Sequence, residues 1–167
     1  GALEADAFRC NGAAAVTFTG FVAPASPAKP GKRVVIENIT AGQTVKFAHD
    51  DALSAAANRL LCESVQGQIL GPGGRALAVY DGTSSRWRLT VIDPGAPIAV
   101  AFAAGNFTAN GAMTWTVDDA DETKAYTLIG RTMILFADVR TSTVGGTLNT
   151  ALKIKIPGGY TAAQETF

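Results

Sequence analysis

Alternation with period two is the feature that most constrains this chain, because successive strand residues point to opposite faces, whereas a helix repeats its face at about 3.6 residues. In Arg86-Trp87-Arg88-Leu89-Thr90-Val91, Trp87, Leu89 and Val91 fall on one face and Arg86, Arg88 and Thr90 on the other. This is a strand with one wet face. Near the C-terminus, Leu152, Ile154 and Ile156 alternate with Ala151, Lys153 and Lys155. Shorter segments of the same kind lie at residues 15–22, 32–39, 43–48, 75–80, 97–102, 113–117, 124–129 and 131–139, and Gly, Pro, Asn or Asp punctuates most of the gaps.

The turns point the same way. Tyr80-Asp81-Gly82-Thr83-Ser84-Ser85-Arg86-Trp87 joins two alternating runs through Asp-Gly, a pair that tolerates the positive φ of hairpin turns. Gly71-Pro72-Gly73-Gly74 and Gly145-Gly146 are loop chemistry. The one helix expected is Asp51 to Arg59, with Asp50 or Asp51 as N-cap before an Ala-rich stretch. Many short strands with frequent turns predict an all-β fold, an antiparallel β-sandwich or jelly roll, with two small β-domains in tandem as a variant. Asp93-Pro94-Gly95-Ala96-Pro97 interrupts the ladder and divides the chain into residues 1–93 and 94–167. Residues 23–30, with three prolines, read as an extended polyproline-like connector.

Composition bounds the partners. Hydrophobic residues make up 47% of the 167 residues but charged ones only 17%, below the roughly 25% usual for globular domains. Lys plus Arg and Asp plus Glu both number 14, so no net charge draws the chain to nucleic acid or anionic lipid. No window approaches the run of about 18 apolar residues that a membrane helix needs, and no basic region followed by an apolar core opens the chain. A soluble chain without secretion signal is expected. The first four residues, Gly1 to Glu4, receive no functional weight.

Candidate chemistry is sparse. Cys10 and Cys62 would bridge only if the fold brought them together, and with His49 as the one histidine a zinc or redox site lacks ligands. Two buried free thiols are expected. His49 beside Asp50 and Asp51 suggests an acid-base pair, but strand neighbours face opposite ways and no nucleophile is indicated. Asp118-Asp119-Ala120-Asp121-Glu122 offers oxygen ligands for calcium without the spacing of an EF-hand loop, so a solvated hairpin tip is preferred. Neither glycine-rich segment continues into the Gly-Lys-Ser/Thr of a phosphate loop. Trp87, Trp115, Phe102 and Phe107 would make a sugar-binding platform if exposed, although core packing is the commoner role on alternating strands. No catalytic, cofactor-binding or metal-ligating residue is assigned, no cofactor is expected, and the chain does not read as an enzyme.

A resemblance adds to this. Arg33-Val34-Val35-Ile36-Glu37-Asn38, Val45-Lys46-Phe47-Ala48-His49-Asp50-Asp51, Ala56-Ala57-Asn58-Arg59 and Tyr80 to Arg88 occur in the order and spacing of a β-rich module, which they resemble, of phage tail-fibre, head-fibre and decoration proteins. Met113 to Val117, Tyr126 to Met133 and Thr143 to Thr150 resemble the β-sandwich segment that often follows, so the likeness spans about residues 30–160. It implies a structural protein on the surface of a phage virion, assembled in the host cytoplasm and working through contacts with itself and other virion proteins. The alternative it leaves open is a host-recognition module for a cell-surface glycan or protein. Such fibre proteins are generally homotrimers, which makes a trimer the first expectation and Ile134, Leu135 and Phe136 candidates for its axis. In these relatives a further strand or two follows the Pro157-Gly158-Gly159-Tyr160 segment; the last sheet is therefore expected to be completed by a neighbouring subunit, or the chain to be a fragment.

Overall fold

The computed structural model describes residues 5–24 and 30–161. The polyproline-like connector lies largely outside them, as do the first four residues. Strand is the dominant state, at 47%, and among the described residues no helix reaches seven residues. The all-β expectation holds. No helix among the described residues is long and apolar enough to cross a membrane.

Chain contacts group into two compact units: residues 1–98 with 127–134, and residues 99–126 with 135–167. The first unit holds β1 (Ala5–Cys10), β2 (Val16–Phe18), β3 (Arg33–Asn38), β4 (Val45–Phe47), β5 (Leu60–Cys62), β6 (Gln68–Leu70), β7 (Arg75–Asp81) and β8 (Arg86–Asp93). They form a five-stranded sheet of order β1-β3-β7-β8-β5 and a three-stranded sheet of order β2-β4-β6. The β3–β7, β7–β8 and β4–β6 pairs are antiparallel, whereas β1–β3, β5–β8 and β2–β4 are parallel. The sheets are thus mixed rather than purely antiparallel.

Period two builds the core of this unit. Ala76, Ala78 and Tyr80 of β7 and Trp87 and Leu89 of β8 turn inward and are buried, with Ile36 of β3, Val45 and Phe47 of β4, Leu60 and Cys62 of β5, and Leu70 of β6. Both sheets contribute to one cluster, which is the sandwich-like feature of the unit. The register explains the two small residues: Ala76 lies opposite Ile36, and Ala78 lies between Val34 and Leu89. Alanine there leaves room for Trp87 and Phe47, each almost fully buried. Asn38, also fully buried, closes the end of β3. Its Nδ2 lies 2.9, 3.3 and 3.0 Å from the carbonyls of Gln43, Leu70 and Gly71, and its Oδ1 accepts the Thr40 N–H at 3.1 Å.

The second unit is built from β9 (Ile98–Ala99), β10 (Phe107–Ala109), β11 (Met113–Thr116), β12 (Glu122–Ile129), β13 (Thr132–Val139), β14 (Thr143–Gly146) and β15 (Leu152–Ile154). Ile98 and Thr127–Ile134, around the β12–β13 turn, group with the first unit instead. The strands pair as β13-β12-β9, β10-β15 and β11-β14. Buried residues are few here: Phe107, Met113, Val117, Lys124, Tyr126 and Pro157. No residue of β13, β14 or β15 is buried.

The expected helix needs correction. Residues 51–59 do not form a helix; only Ala56–Asn58 makes a single 3-10 turn. The Asp51 carboxylate folds onto the Leu53 N–H at 2.8 Å in a local Asx turn, Leu53 itself is 86% exposed, and Arg59 already bridges to Gly20 as a strand. No apolar face exists to hold a helix, and so short a helix is marginal without one. At the C-terminal run, alternation is real but leaves Leu152 exposed at 44%. Cys10 and Cys62 are buried and free, on the two outermost strands of the five-stranded sheet. Four strand spacings put them roughly 19 Å apart along the sheet, beyond the ~7 Å Cα limit for a bridge.

Candidate functional site

The sequence motifs that stood out converge on one place in the first unit. Asn58 of the Ala-Ala-Asn-Arg run accepts the N–H of Ala23 on its side-chain oxygen and the N–H of Phe21 on its backbone carbonyl, both at 2.8 Å. Trp87 donates its indole N–H to the Phe21 carbonyl at 3.0 Å, with its ring edge-on to Phe21 and Tyr80 at 5.8 and 5.3 Å. Residues 21–23 are therefore clamped by both motifs. Gly20 is needed next to the clamp, because a Cβ there would overlap the Asn58 carbonyl.

Charge completes the arrangement. Arg59 and Arg86 both reach the Asp50 carboxylate, at 3.5 and 3.6 Å, and Arg59 Nε donates to the Ser54 carbonyl at 3.0 Å. Asp50 sits at φ +43°, in the left-handed region that Asp tolerates better than most residues. Its N–H bonds the Leu60 carbonyl at 2.8 Å, which fixes the loop at the start of β5. His49, placed beside it, uses Nδ1 to accept the Cys62 N–H at 3.1 Å. That bond needs the lone pair a general base would use, so His49 is occupied in holding β5.

The Asp-Gly hairpin is a separate polar cluster. Asp81 accepts from Arg88 at 2.8 Å, from the Ser84 hydroxyl at 2.9 Å and from the Thr83 N–H at 2.9 Å. These donors, Arg88 first, hold its carboxyl down at about 2. The two thiols move the other way, since burial pushes Cys62 up to about 12 and raises Cys10.

In the second unit, Glu122, Lys124, Tyr126 and Leu128 share the inward face of β12, and the face carries an ion pair. Lys124 is buried with Nζ 2.8 Å from Glu122 Oε1 and 4.6 Å from the centroid of the Phe107 ring. Phe107 meets Trp115 edge to face at 5.2 Å and stacks with Phe102 at 6.3 Å. Trp115 Nε1, Glu122 Oε1 and Lys124 Nζ are buried with no hydrogen-bond partner among the described residues, so the ion pair is charge contact without alignment. Sequence reasoning missed this pair. Its signal was present, since Lys124 shares parity with Tyr126 and Leu128, but a lysine in that register reads as a solvent-facing residue.

The other proposed sites separate. Trp87 and Phe107 are buried, so neither can offer a ring face to a sugar. Asp118 and Asp119 are exposed at a turn that continues into the 3-10 turn Asp119–Asp121. No three His, Cys, Asp or Glu side chains come together as metal ligands among the described residues. Gly71-Pro72-Gly73-Gly74 is a turn packed on the 93–97 segment: Gly71 donates to the Pro94 carbonyl at 2.8 Å and Ala96 to the Pro72 carbonyl at 2.9 Å. The residues that looked most like chemistry are thus bound into the fold. No family model, no curated protein and no solved structure matches this chain.

Proposed function

We propose that this chain is a non-enzymatic structural component of a phage virion, a head-fibre, decoration or tail-fibre domain that works on the particle surface through contacts with copies of itself and with other virion proteins. The observation that carries the reading is an apolar exterior on strands β13, β14 and β15. Ile134 and Phe136 of β13, Val144 of β14 and Leu152 of β15 are 41–51% exposed, on strands that bury nothing. Short strands with apolar outer faces gain by being covered, and open edges invite a partner strand. The motif residues that carry the resemblance support it from the other side, since Asn58, Arg59, Trp87 and Arg88 all act as clamps within the fold. A homo-oligomer follows from this reading.

Mass spectrometry and electron microscopy of purified particles test the assignment. The chain is expected at fixed stoichiometry, with density on the particle exterior. A chain found only in the host lysate, and absent from particles banded in a gradient, would refute it.

A further inference from the structure

Among the described residues, strand β13 is the edge of its sheet, with β12 on one side and no strand on the other. It is eight residues long, Thr132-Met133-Ile134-Leu135-Phe136-Ala137-Asp138-Val139, with no proline, no glycine and no charge before Asp138. Over Thr132 to Ala137 such an edge lacks the devices that keep strands apart, the exposed charge of Asp138 coming only after them. The turn that leads into it is the two-residue Gly130-Arg131, with Gly130 at φ +56° and Arg131 outside the positive-φ region, as a II′ hairpin prefers. Ile134 and Phe136 project from one face, 43% and 51% exposed, while Met133 and Leu135 are half-buried on the other.

We infer that β13 pairs with β13 of a second copy, antiparallel and centred on Leu135, so that two sheets join into one across a two-fold axis. The inference rests on the self-assembly reading above and replaces the three-fold expected at these residues, because antiparallel pairing of one strand with itself generates a two-fold.

Three considerations select this register. Residues opposite each other share a face, so outward Ile134 and Phe136 must meet outward residues, and a one-residue slip would turn them against inward ones. Of the registers that obey this, the one centred on Leu135 places Ile134 of each copy opposite Phe136 of the other. Its neighbours set Ile134 against Asp138, or Phe136 against Thr132. Charge decides the direction: a parallel, in-register pair would oppose Asp138 to Asp138 and Arg140 to Arg140, whereas the antiparallel pair sets Asp138 opposite Thr132, whose hydroxyl can donate to it.

Cross-linking and light scattering of the full chain test it. Opposite residues in an antiparallel pair have Cα atoms about 4.5–5.5 Å apart, inside the span of a disulfide, so Leu135→Cys is expected to give a covalent dimer on mild oxidation. Thr132→Cys is expected to give none, because its own copy lies about six residues, roughly 20 Å, along the partner strand. Wild type, with both thiols buried, serves as the second control. Phe136→Asp is expected to halve the mass measured at micromolar concentration while leaving the circular dichroism spectrum unchanged.

An oligomer whose mass ignores Phe136→Asp, or a Leu135→Cys chain that fails to cross-link, would overturn the pairing. So would β13 amides that gain exchange protection only inside the particle, which would assign the edge to another virion protein. These results leave the virion assignment standing, because that assignment fails on absence of the chain from purified particles.

Discussion

The clamp on residues 21–23 makes the sharpest claim about the motifs, and Trp87→Phe together with Asn58→Ala tests it. Trp87 is almost fully buried and donates at 3.0 Å to the Phe21 carbonyl. Replacing indole by phenyl removes one fused ring from a packed core, worth roughly 1–2 kcal/mol by comparison with larger truncations, and orphans that carbonyl at about 1–3 kcal/mol. A loss of about 2–5 kcal/mol is expected. Asn58→Ala orphans the Ala23 N–H, held at 2.8 Å, for about 1–3 kcal/mol more. Because both side chains anchor the same three residues, detaching the segment once removes much of what the second substitution can still lose. The double variant is expected to fall short of the sum by about 1 kcal/mol, within the range for residues sharing partners. Urea unfolding of wild type, both single variants and the double reads the cycle. Additivity within about 0.5 kcal/mol, the behaviour of independent sites, would refute a shared clamp. A cost below about 0.5 kcal/mol for Trp87→Phe, the scale of a neutral surface change, would refute the role of the indole N–H.

Four further outcomes are expected. Lys124→Met should destabilise the chain by about 3–5 kcal/mol, because it strands the buried Glu122 carboxylate, whereas pairing it with Glu122→Leu should recover most of the loss in urea unfolding. Asp81, held at about 2, contributes stability that is present above the unfolded value near 3.9 and is lost as pH falls through 2. An NMR titration should find its midpoint there, and Arg88→Ala should move it upward. Cys62, raised to about 12, has the opposite sign: its contribution is complete below the unfolded thiol value of about 8.5 and fades as pH rises toward 12. Ellman's reagent should therefore label neither thiol in the native chain, and both in denaturant. Gly71→Ala should lower the melting temperature, since its Cβ would overlap the Ala96 carbonyl.

How much of the fold was legible depended on length and on what each strand packs against. The long runs at 33–38, 75–81 and 86–93 are read directly as strands, and for 86–91 the faces too, because Trp87 and Leu89 are buried while Arg88 and Thr90 are exposed. β5, β6, β10 and β14 were not expected, nor was β1. The first three of these are three residues long, too short for a period to show, and β14 is half glycine. β6 is buried at all three positions, so Gln68-Ile69-Leu70 has no alternation to offer. The parallel pairs are illegible for another reason: strand direction is set by connections across the sheet, such as β1 beside β3, and leaves no mark on the strands themselves. The expected helix failed because its alanines favour a helix but supply no apolar stripe to hold one against the fold.

The candidate site divides along the same line. That the pieces around Asn58, Arg59 and Trp87 belong together was legible as a pattern, but their work was not, because a motif gives order along the chain and the clamp is formed by distant partners such as Phe21 and Ala23. Strands β13 and β15 show the converse. Alternation in residues 131–139 and 150–156 predicts strands with an apolar face, and the strands form, yet that face stays open at Ile134, Phe136 and Leu152. Two-stranded sheets such as β10–β15 and β11–β14 are marginal alone, and exposed apolar strands add nothing to them without a cover. A period-two pattern states that something packs on one face of a strand. It does not say whose chain provides it, and the pairing proposed for β13 would supply that cover by setting Ile134 of one copy against Phe136 of the other.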